Sequence, residues 1–421
     1  MWSIVGRRIV RNHSENRSGL VGRGVAALLA ALMLGAPAAL GQDGIAWGDL
    51  RRARYATDHV NLMTTFLNLS DDQKVLVSAF LRDYAAVYAE IRAEADRERE
   101  LARDRARWAR ESGTPTDAGV ALRARERVEA LQQRHEHAAG EFIANARAVL
   151  TPEQADRWPD LERALRRRDL LPRGEVSGER VDLFQVVARL ELSEESRFAV
   201  EPLLADYAMQ LDAALVWREQ AASDDDDDAF RDVMRDYQSG VADANDLRRM
   251  ARHLRTLRTR VRDVNIMFAD QIRGAMTMEE EARAFEQAWK AAAFPRIYTE
   301  TYAQRVLQAA LAFEDLDPLA ARDIEALAEV HANRLLQANQ KIERLTVTEE
   351  PRAAERLVEA ALAQRDRRRV SDDFNRNSTL VRDAYAERES MEAETILALH
   401  RLLTEEQVRR LPARRDRTRG R

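Results

Sequence analysis

The strongest constraint on the fold is a short motif that occurs six times at nearly constant spacing. Each copy has an apolar residue, then Ser, Thr or Asp, then an acidic or polar triplet. Two interleaved sets of three are centred on Ser70, Ser193 and Asp317, and on Thr151, Thr277 and Thr404. Successive members are 123 and 124 residues apart in the first set, and 126 and 127 apart in the second. Constant spacing of this kind indicates tandem duplication, so the sequence predicts three copies of one unit.

Each motif predicts the start of a helix. Ser or Thr at an N-cap accepts a hydrogen bond from the backbone N–H three residues on, and Gln or Glu at that position bonds back to the cap N–H. Four motifs have both partners of this capping box: Ser70–Gln73, Thr151–Gln154, Thr277–Glu280 and Thr404–Gln407. The full set of predicted motif residues is Leu69, Ser70, Gln73, Leu150, Thr151, Gln154, Leu192, Ser193, Met276, Thr277, Glu280, Leu316, Asp317, Leu403, Thr404 and Gln407.

Apolar residues between the motifs recur every three or four positions, as on one face of a helix. In the first copy, two such segments lie on either side of residues 111–119, which contain Gly and Pro. In the third copy, residues 346–351 are the expected break, followed by one helix that ends near Leu402. The chain is therefore predicted to be all-α, with three tandem elongated antiparallel helical hairpins, each closed by a short helix.

The N-terminus predicts a secretory signal. Five Arg residues precede an apolar run over 24–35, and Ala39 and Gly41 supply the small residues of a cleavage site. A run of about 12 residues is shorter than the roughly 20 that span a bilayer. The predicted division is signal peptide 1–41, repeats 42–171, 172–296 and 297–413, and a basic tail 414–421. The mature chain is expected to cross the inner membrane into the periplasm, by the Sec or the twin-arginine route, with no transmembrane segment.

Composition excludes several classes of site. The chain has no Cys, so disulfides, a CxxC centre and a cysteine zinc site are excluded. The signal holds five of the 67 basic residues and one of the 72 acidic residues, which leaves 62 against 71 and a net charge of -9. We therefore expect no uniformly basic nucleic-acid-binding surface.

No catalytic, cofactor or metal site is predicted. GxSxG, GxGxxG, P-loop and HExxH motifs are absent from the sequence. His135 and His137 are two residues apart and point to different faces of a helix, and the position of His135 on the apolar stripe favours a core histidine over a ligand. The acidic run 224–228 lacks the Gly and terminal Glu of an EF-hand, which favours a solvated loop.

Three of the motifs carry a family likeness. Leu-Ser-Asp-Asp-Gln (69–73), Leu-Thr-Pro-Glu-Gln (150–154) and Leu-Thr-Glu-Glu-Gln (403–407) resemble those of the Spy/CpxP group of LTxxQ-motif periplasmic proteins. Each repeat would match one such unit. The resemblance implies an all-α hairpin fold, no enzymatic activity and ATP-independent binding of unfolded or stressed proteins, with zinc or other metals bound in some relatives.

Three functions remain open at this point. The first is a protein-binding module that acts as a periplasmic chaperone or stress-related binder, with non-native clients as partners. The second is a structural or scaffold protein with a fixed partner in the cell envelope. The third is a metal-responsive envelope protein.

Overall fold

The computed structural model describes residues 52–113, 118–221, 243–365 and 372–414, together with Leu50, Val233 and Tyr237. Every regular element within these residues is helical, which confirms the predicted all-α class. The predicted signal peptide, the acidic run 224–228 and residues 415–421 of the predicted basic tail lie outside this description. In the part of the chain that is described, no helix combines the length and the apolar character needed to cross a membrane.

Residue contacts divide the chain into two compact units. Unit 1 comprises residues 1–172 and 215–232, and unit 2 comprises residues 173–214 and 233–421. The helices of residues 52–172 are α1 Thr57–Leu67, α2 Asp71–Ser112, α3 Ala118–Ala148, α4 Pro152–Asp156 and α5 Trp158–Leu170. The later helices are α6 Leu183–Ala188, α7 Glu194–Ala221, α8 Ala244–Ala275, α9 Glu279–Ala293, α10 Pro295–Tyr298, α11 Tyr302–Leu311, α12 Pro318–Glu349, α13 Ala353–Arg365, α14 Asp372–Leu402 and α15 Glu405–Arg410.

Unit 1 is built on an antiparallel pair of long helices, α2 and α3. Gln73 is bonded to Val149 at one end of the pair, and Glu94 is bonded to Arg134 further along. The two helices therefore run in opposite directions. Helices α1 and α5 pack against each other, and α1 also packs on α2. Their buried side chains join one core with the α2–α3 pair: Met63, Leu67, Tyr84, Phe142, Trp158 and Leu161. Burial of these apolar groups is the main stabilising contribution of the unit.

Unit 2 contains a second clear antiparallel pair, α12 and α14. The bonded pairs His331–Thr395 and Lys341–Glu387 fix its direction. Helix α11 packs on both helices and places Val306 in a core with Ile324 and Leu399.

The break predicted at residues 346–351 is wrong at its first positions. Helix α12 runs through to Glu349, and the Thr348 hydroxyl donates to the Arg344 carbonyl at 2.9 Å within the helix. A 3₁₀ turn at Glu350–Arg352 then leads into α13.

Helix α13 packs along α8, a contact that the sequence analysis did not predict. Two ion pairs follow this contact, Arg248 with Glu359 at 2.7 Å and Arg255 with Glu355 at 3.0 Å. Helices from the second and third predicted repeats are thus in contact within unit 2, while residues 215–232 of the second predicted repeat belong to unit 1.

Candidate functional site

The first two motifs lie side by side at the end of the α2–α3 pair. Ser70 caps α2 and Thr151 caps α4, each with the complete capping box. The Gln73 side-chain oxygen accepts from the Ser70 N–H at 2.9 Å, and the Gln154 oxygen accepts from the Thr151 N–H at 3.0 Å. Each glutamine therefore uses its oxygen on its own helix start.

The amide nitrogens of the same two glutamines cross to the opposite motif. Gln73 Nε2 donates to the Val149 carbonyl at 2.8 Å and to Gln154 Oε1 at 2.7 Å. Gln154 Nε2 lies 3.1 Å from Gln73 Oε1, 3.3 Å from the Leu67 carbonyl and 3.4 Å from the Asn68 carbonyl. We call this arrangement of Gln73 and Gln154 the hairpin clasp. It joins the end of the hairpin through polar groups that are 81 residues apart in the chain.

The third pair of motifs keeps half of this arrangement. Thr404 and Gln407 form a capping box at α15, and Gln407 Nε2 donates to the Asp315 carbonyl at 3.1 Å. Asp315 lies two residues before the cap Asp317, as Asn68 lies two residues before the cap Ser70. Asp317 caps α12 by accepting from two backbone N–H groups at 3.0 and 3.2 Å. Ala320 is at the position equivalent to Gln73, and its side chain has no amide that could donate to the opposite motif.

The second pair of motifs uses hydroxyls and a carboxylate. Ser193 Oγ accepts from the Ser196 N–H at 3.2 Å, and Ser196 Oγ lies 3.1 Å from both the hydroxyl and the backbone nitrogen of Thr277. Glu281 crosses back and accepts from the N–H of Ser193 at 2.5 Å and from its hydroxyl at 3.2 Å. Hydrogen bonds from Ser196 and from the Ser193 N–H lower the pKa of Glu281.

The predicted capping box at Thr277 and Glu280 is therefore wrong. Helix α9 begins at Glu279 with Met278 as its N-cap, and Met278 has no side-chain acceptor. Thr277 does not cap this helix because its hydroxyl and its N–H are bonded to Ser196. Glu281, one position after the predicted glutamate, makes the contact with the opposite motif. Met276, the apolar residue of this motif, is buried.

A buried polar pair occurs at an equivalent position in each predicted repeat. The Tyr84 hydroxyl lies 2.9 Å from His135 Nε2, the Tyr207 hydroxyl donates to Asn265 Oδ1 at 2.9 Å, and His331 Nδ1 lies 3.0 Å from Thr395 Oγ1. Tyr84, Tyr207 and His331 each lie fourteen residues after a first-set cap. Their partners His135, Asn265 and Thr395 follow one another at intervals of 130 residues. Sequence analysis missed Asn265 and Thr395, which this spacing from His135 could have found.

The histidines of these pairs are core residues. Burial raises the pKa of Tyr84 and lowers the pKa of His331, so both side chains are neutral near pH 7. His137 is on another face of α3 and is exposed beside Glu141. Among the residues that the structure describes, no group of three His, Cys, Asp or Glu side chains is placed to hold a metal ion.

A histidine that the sequence analysis missed joins α1 to α5. His59 is buried, accepts from the Ala56 N–H through Nδ1 at 3.2 Å, and places Nε2 3.0 Å from an Asp169 carboxylate oxygen. Because Asp169 is 110 residues away in the chain, no local pattern signals this pair.

A cleft of about 440 Å³ lies between α9 and α12. Two of its polar side chains have close partners: Lys290 is paired with Glu286 at 2.8 Å, and the Tyr298 hydroxyl is bonded to Glu343. Burial, followed by the Glu343 contact, raises the pKa of Tyr298.

Large apolar side chains remain exposed on the long helices. Phe198 is 80% exposed, Leu319 69%, Val75 66% and Trp108 61%. Met209, Leu122, Val330, Leu336 and Leu397 are also exposed by at least half. Contact with another polypeptide would remove these side chains from water.

Comparison with protein-family models, with curated proteins and with solved structures finds no match for this chain.

The crossing bonds of the clasp predict that a single substitution at Gln154 lowers the stability of the fold. Gln154→Glu keeps the oxygen that caps α4 but removes the donor to Gln73 and to the carbonyls of Leu67 and Asn68. We expect the free energy of unfolding to fall by about 1 kcal/mol, because these partly buried acceptors lose their donor. Urea denaturation followed by circular dichroism measures it.

Gln304→Glu is the matched control for this change. Gln304 forms a capping box with Thr301, and no bond from its amide nitrogen to another segment is observed among the described residues. The control should stay within about 0.5 kcal/mol of the unchanged protein. Equal effects of the two substitutions would show that Gln154 acts as a cap alone.

The lowered pKa of Glu281 predicts a pH-dependent contribution to stability. A carboxyl whose pKa is lower in the folded than in the unfolded state stabilises the fold above its unfolded pKa of about 4.3, and this contribution is lost as the pH falls through the folded pKa. Glu281→Gln should therefore unfold more easily than the unchanged protein at pH 7, and the difference should shrink below about pH 4.

Denaturant unfolding of both proteins between pH 3 and pH 7 measures this difference. Glu280→Gln is the control, since Glu280 is exposed, and it should change the free energy of unfolding by less than about 0.5 kcal/mol at pH 7. A difference for Glu281→Gln that does not vary with pH would contradict the assignment.

Proposed function

We propose that the protein is an exported, non-enzymatic binder of other proteins that holds non-native chains in the periplasm without ATP. The observation that carries this proposal is the set of large apolar side chains left exposed on long helices, led by Phe198, Leu319, Val75 and Trp108. Unfolded chains expose apolar segments, and contact between two apolar surfaces removes both from water. Such binding needs no nucleotide, because its driving force is the burial itself.

We also propose that the mature chain consists of three tandem helical hairpins of one ancestral type. The constant motif spacing supports this, and so do the three buried polar pairs that recur at equivalent positions: Tyr84–His135, Tyr207–Asn265 and His331–Thr395. A repeat built in this way presents several similar helix faces along one chain. Several weak apolar contacts on one chain raise the overall affinity for an extended client.

The glutamine of the motif supports the proposed relation to the LTxxQ group. Gln73, Gln154 and Gln407 each cap a helix start with their oxygen and donate to the opposite motif with their nitrogen. Glutamate would cap equally well but would lack the donor. The motif therefore has a structural reason to end in glutamine, and export to the periplasm accords with the predicted signal sequence.

An aggregation assay tests the proposed function. A chemically denatured client is diluted into buffer without nucleotide, and light scattering is followed with increasing amounts of the mature protein. We expect scattering to fall by at least about half at a few-fold molar excess, because exposed apolar side chains bind the client. The triple variant Val75→Ser, Trp108→Ser, Leu319→Ser should suppress aggregation less.

The control is a triple variant at exposed charged positions, Arg82→Ser, Glu90→Ser and Glu325→Ser, which should suppress aggregation as the unchanged protein does. Scattering that is unaffected by any excess of the protein would remove the holdase proposal. Recovery of one stoichiometric envelope partner, together with that result, would favour a scaffold instead.

A further inference from the structure

Helix α7 carries a continuous apolar ridge on its solvent face. Phe198, Pro202, Ala205 and Met209 are spaced by four, three and four residues, and all four are exposed. At 3.6 residues per turn, these positions form one line about 16 Å long. Phe198 is 80% exposed and Met209 53%, and both lie in unit 2. We call these four residues the α7 ridge.

Carboxylates line both sides of the α7 ridge. At 100° per residue, Glu194 and Glu201 fall on one side of the line, and Glu195 and Asp206 on the other. All four are exposed, and the described residues provide no ion-pair partner for any of them. The helix has no Lys or Arg between Arg197 and Arg218. The surface is therefore apolar in the middle with carboxylates along both edges, and Arg197 lies beyond Glu194 and Glu201 on one side.

The proposed repeat does not require this ridge. The equivalent positions are Val75, Ala79, Arg82 and Ala86 on α2, and Arg322, Ala326, Glu329 and Asn333 on α12. Arg82 interrupts the first set, and the second set has no large apolar residue. An exposed phenylalanine adds little to the stability of a fold, because its ring stays in water. Helices α2 and α12 thus form without an apolar ridge at the equivalent positions, and of these three helices only α7 has one.

We propose that the α7 ridge binds a basic, apolar polypeptide segment, one with an apolar stripe flanked by Lys or Arg. The apolar stripe would cover Phe198 and Met209, and the cations would face the carboxylates of Glu194, Glu195, Glu201 and Asp206. Charge complementarity of this kind speeds encounter and excludes partners of the wrong sign. Nucleic acids, anionic membrane surfaces and acidic segments are repelled by the same edges. The inference rests on the proposed function and specifies its client class.

Fluorescence anisotropy with the mature protein tests the inference. The probes are two labelled amphipathic peptides with the same apolar stripe, one flanked by Lys and the other by Glu. We expect binding of the Lys peptide, weakened by added salt, and no binding of the Glu peptide. In the double variant Phe198→Ser, Met209→Ser, the Kd for the Lys peptide should rise by about tenfold or more.

Two further variants separate the apolar and the charged contributions. Glu194→Gln, Glu195→Gln, Glu201→Gln and Asp206→Asn together should weaken binding of the Lys peptide and flatten its salt dependence. The control Leu101→Ser, Leu311→Ser removes two exposed apolar side chains from α2 and α11, outside the α7 ridge, and should leave the Kd within about twofold. Circular dichroism establishes that each variant is folded.

The outcomes distinguish this inference from the proposed function. Equal affinity for the two peptides, or a Kd unchanged by Phe198→Ser, Met209→Ser, overturns the ridge assignment, and continued suppression of aggregation would leave the holdase function standing. Ridge-dependent binding of the Lys peptide without suppression of aggregation supports the ridge and removes the holdase function. Absence of both overturns both.

Discussion

The register of the two long helices in unit 1 depends on the hairpin clasp. A glutamine side chain offers an acceptor and two donors, and Gln73 and Gln154 use the acceptor on their own helix start and the donors on the opposite motif. This sets the register between α2 and α3, two helices of 42 and 31 residues. The register matters because a buried hydroxyl or imidazole further along the two helices needs its hydrogen-bond partner at the same position along the helix axis. Tyr84 and His135 meet at 2.9 Å in this register.

The three motif pairs keep the contact while the side chains differ. Two glutamines meet in the first motif pair, Ser196 and Thr277 meet in the second pair, and Gln407 reaches the Asp315 carbonyl in the third pair. The buried pairs behave in the same way, as Tyr with His, Tyr with Asn and His with Thr. A buried polar group without a partner costs about 1–3 kcal/mol, which favours paired replacement over loss. Such retained geometry supports the proposed origin by duplication.

Local signals in the sequence predicted local structure. The all-α class and the helix starts at Ser70, Thr151 and Thr404 follow from patterns within four residues, because a cap and its partners are neighbours in the chain. The helix start predicted at Thr277 is wrong because the Thr277 hydroxyl is bonded to Ser196, which is 81 residues away. The packing of α13 on α8 and the His59–Asp169 pair are contacts between distant segments, and a periodic pattern does not specify which segments meet. The α7 ridge is visible in the sequence only once Tyr207 is known to face inward.

A fixed hairpin keeps apolar side chains on its outer face from collapsing into its own core, which is what the proposed binding of other proteins requires. The clasp is therefore the link between the fold and the proposed function. A double-mutant cycle of Gln73→Ala and Gln154→Ala, measured by urea unfolding of residues 42–421, tests it most directly. Reciprocal bonding predicts a coupling energy of about 0.5–3 kcal/mol between the two sites. Free-energy changes that add within about 0.3 kcal/mol would contradict it.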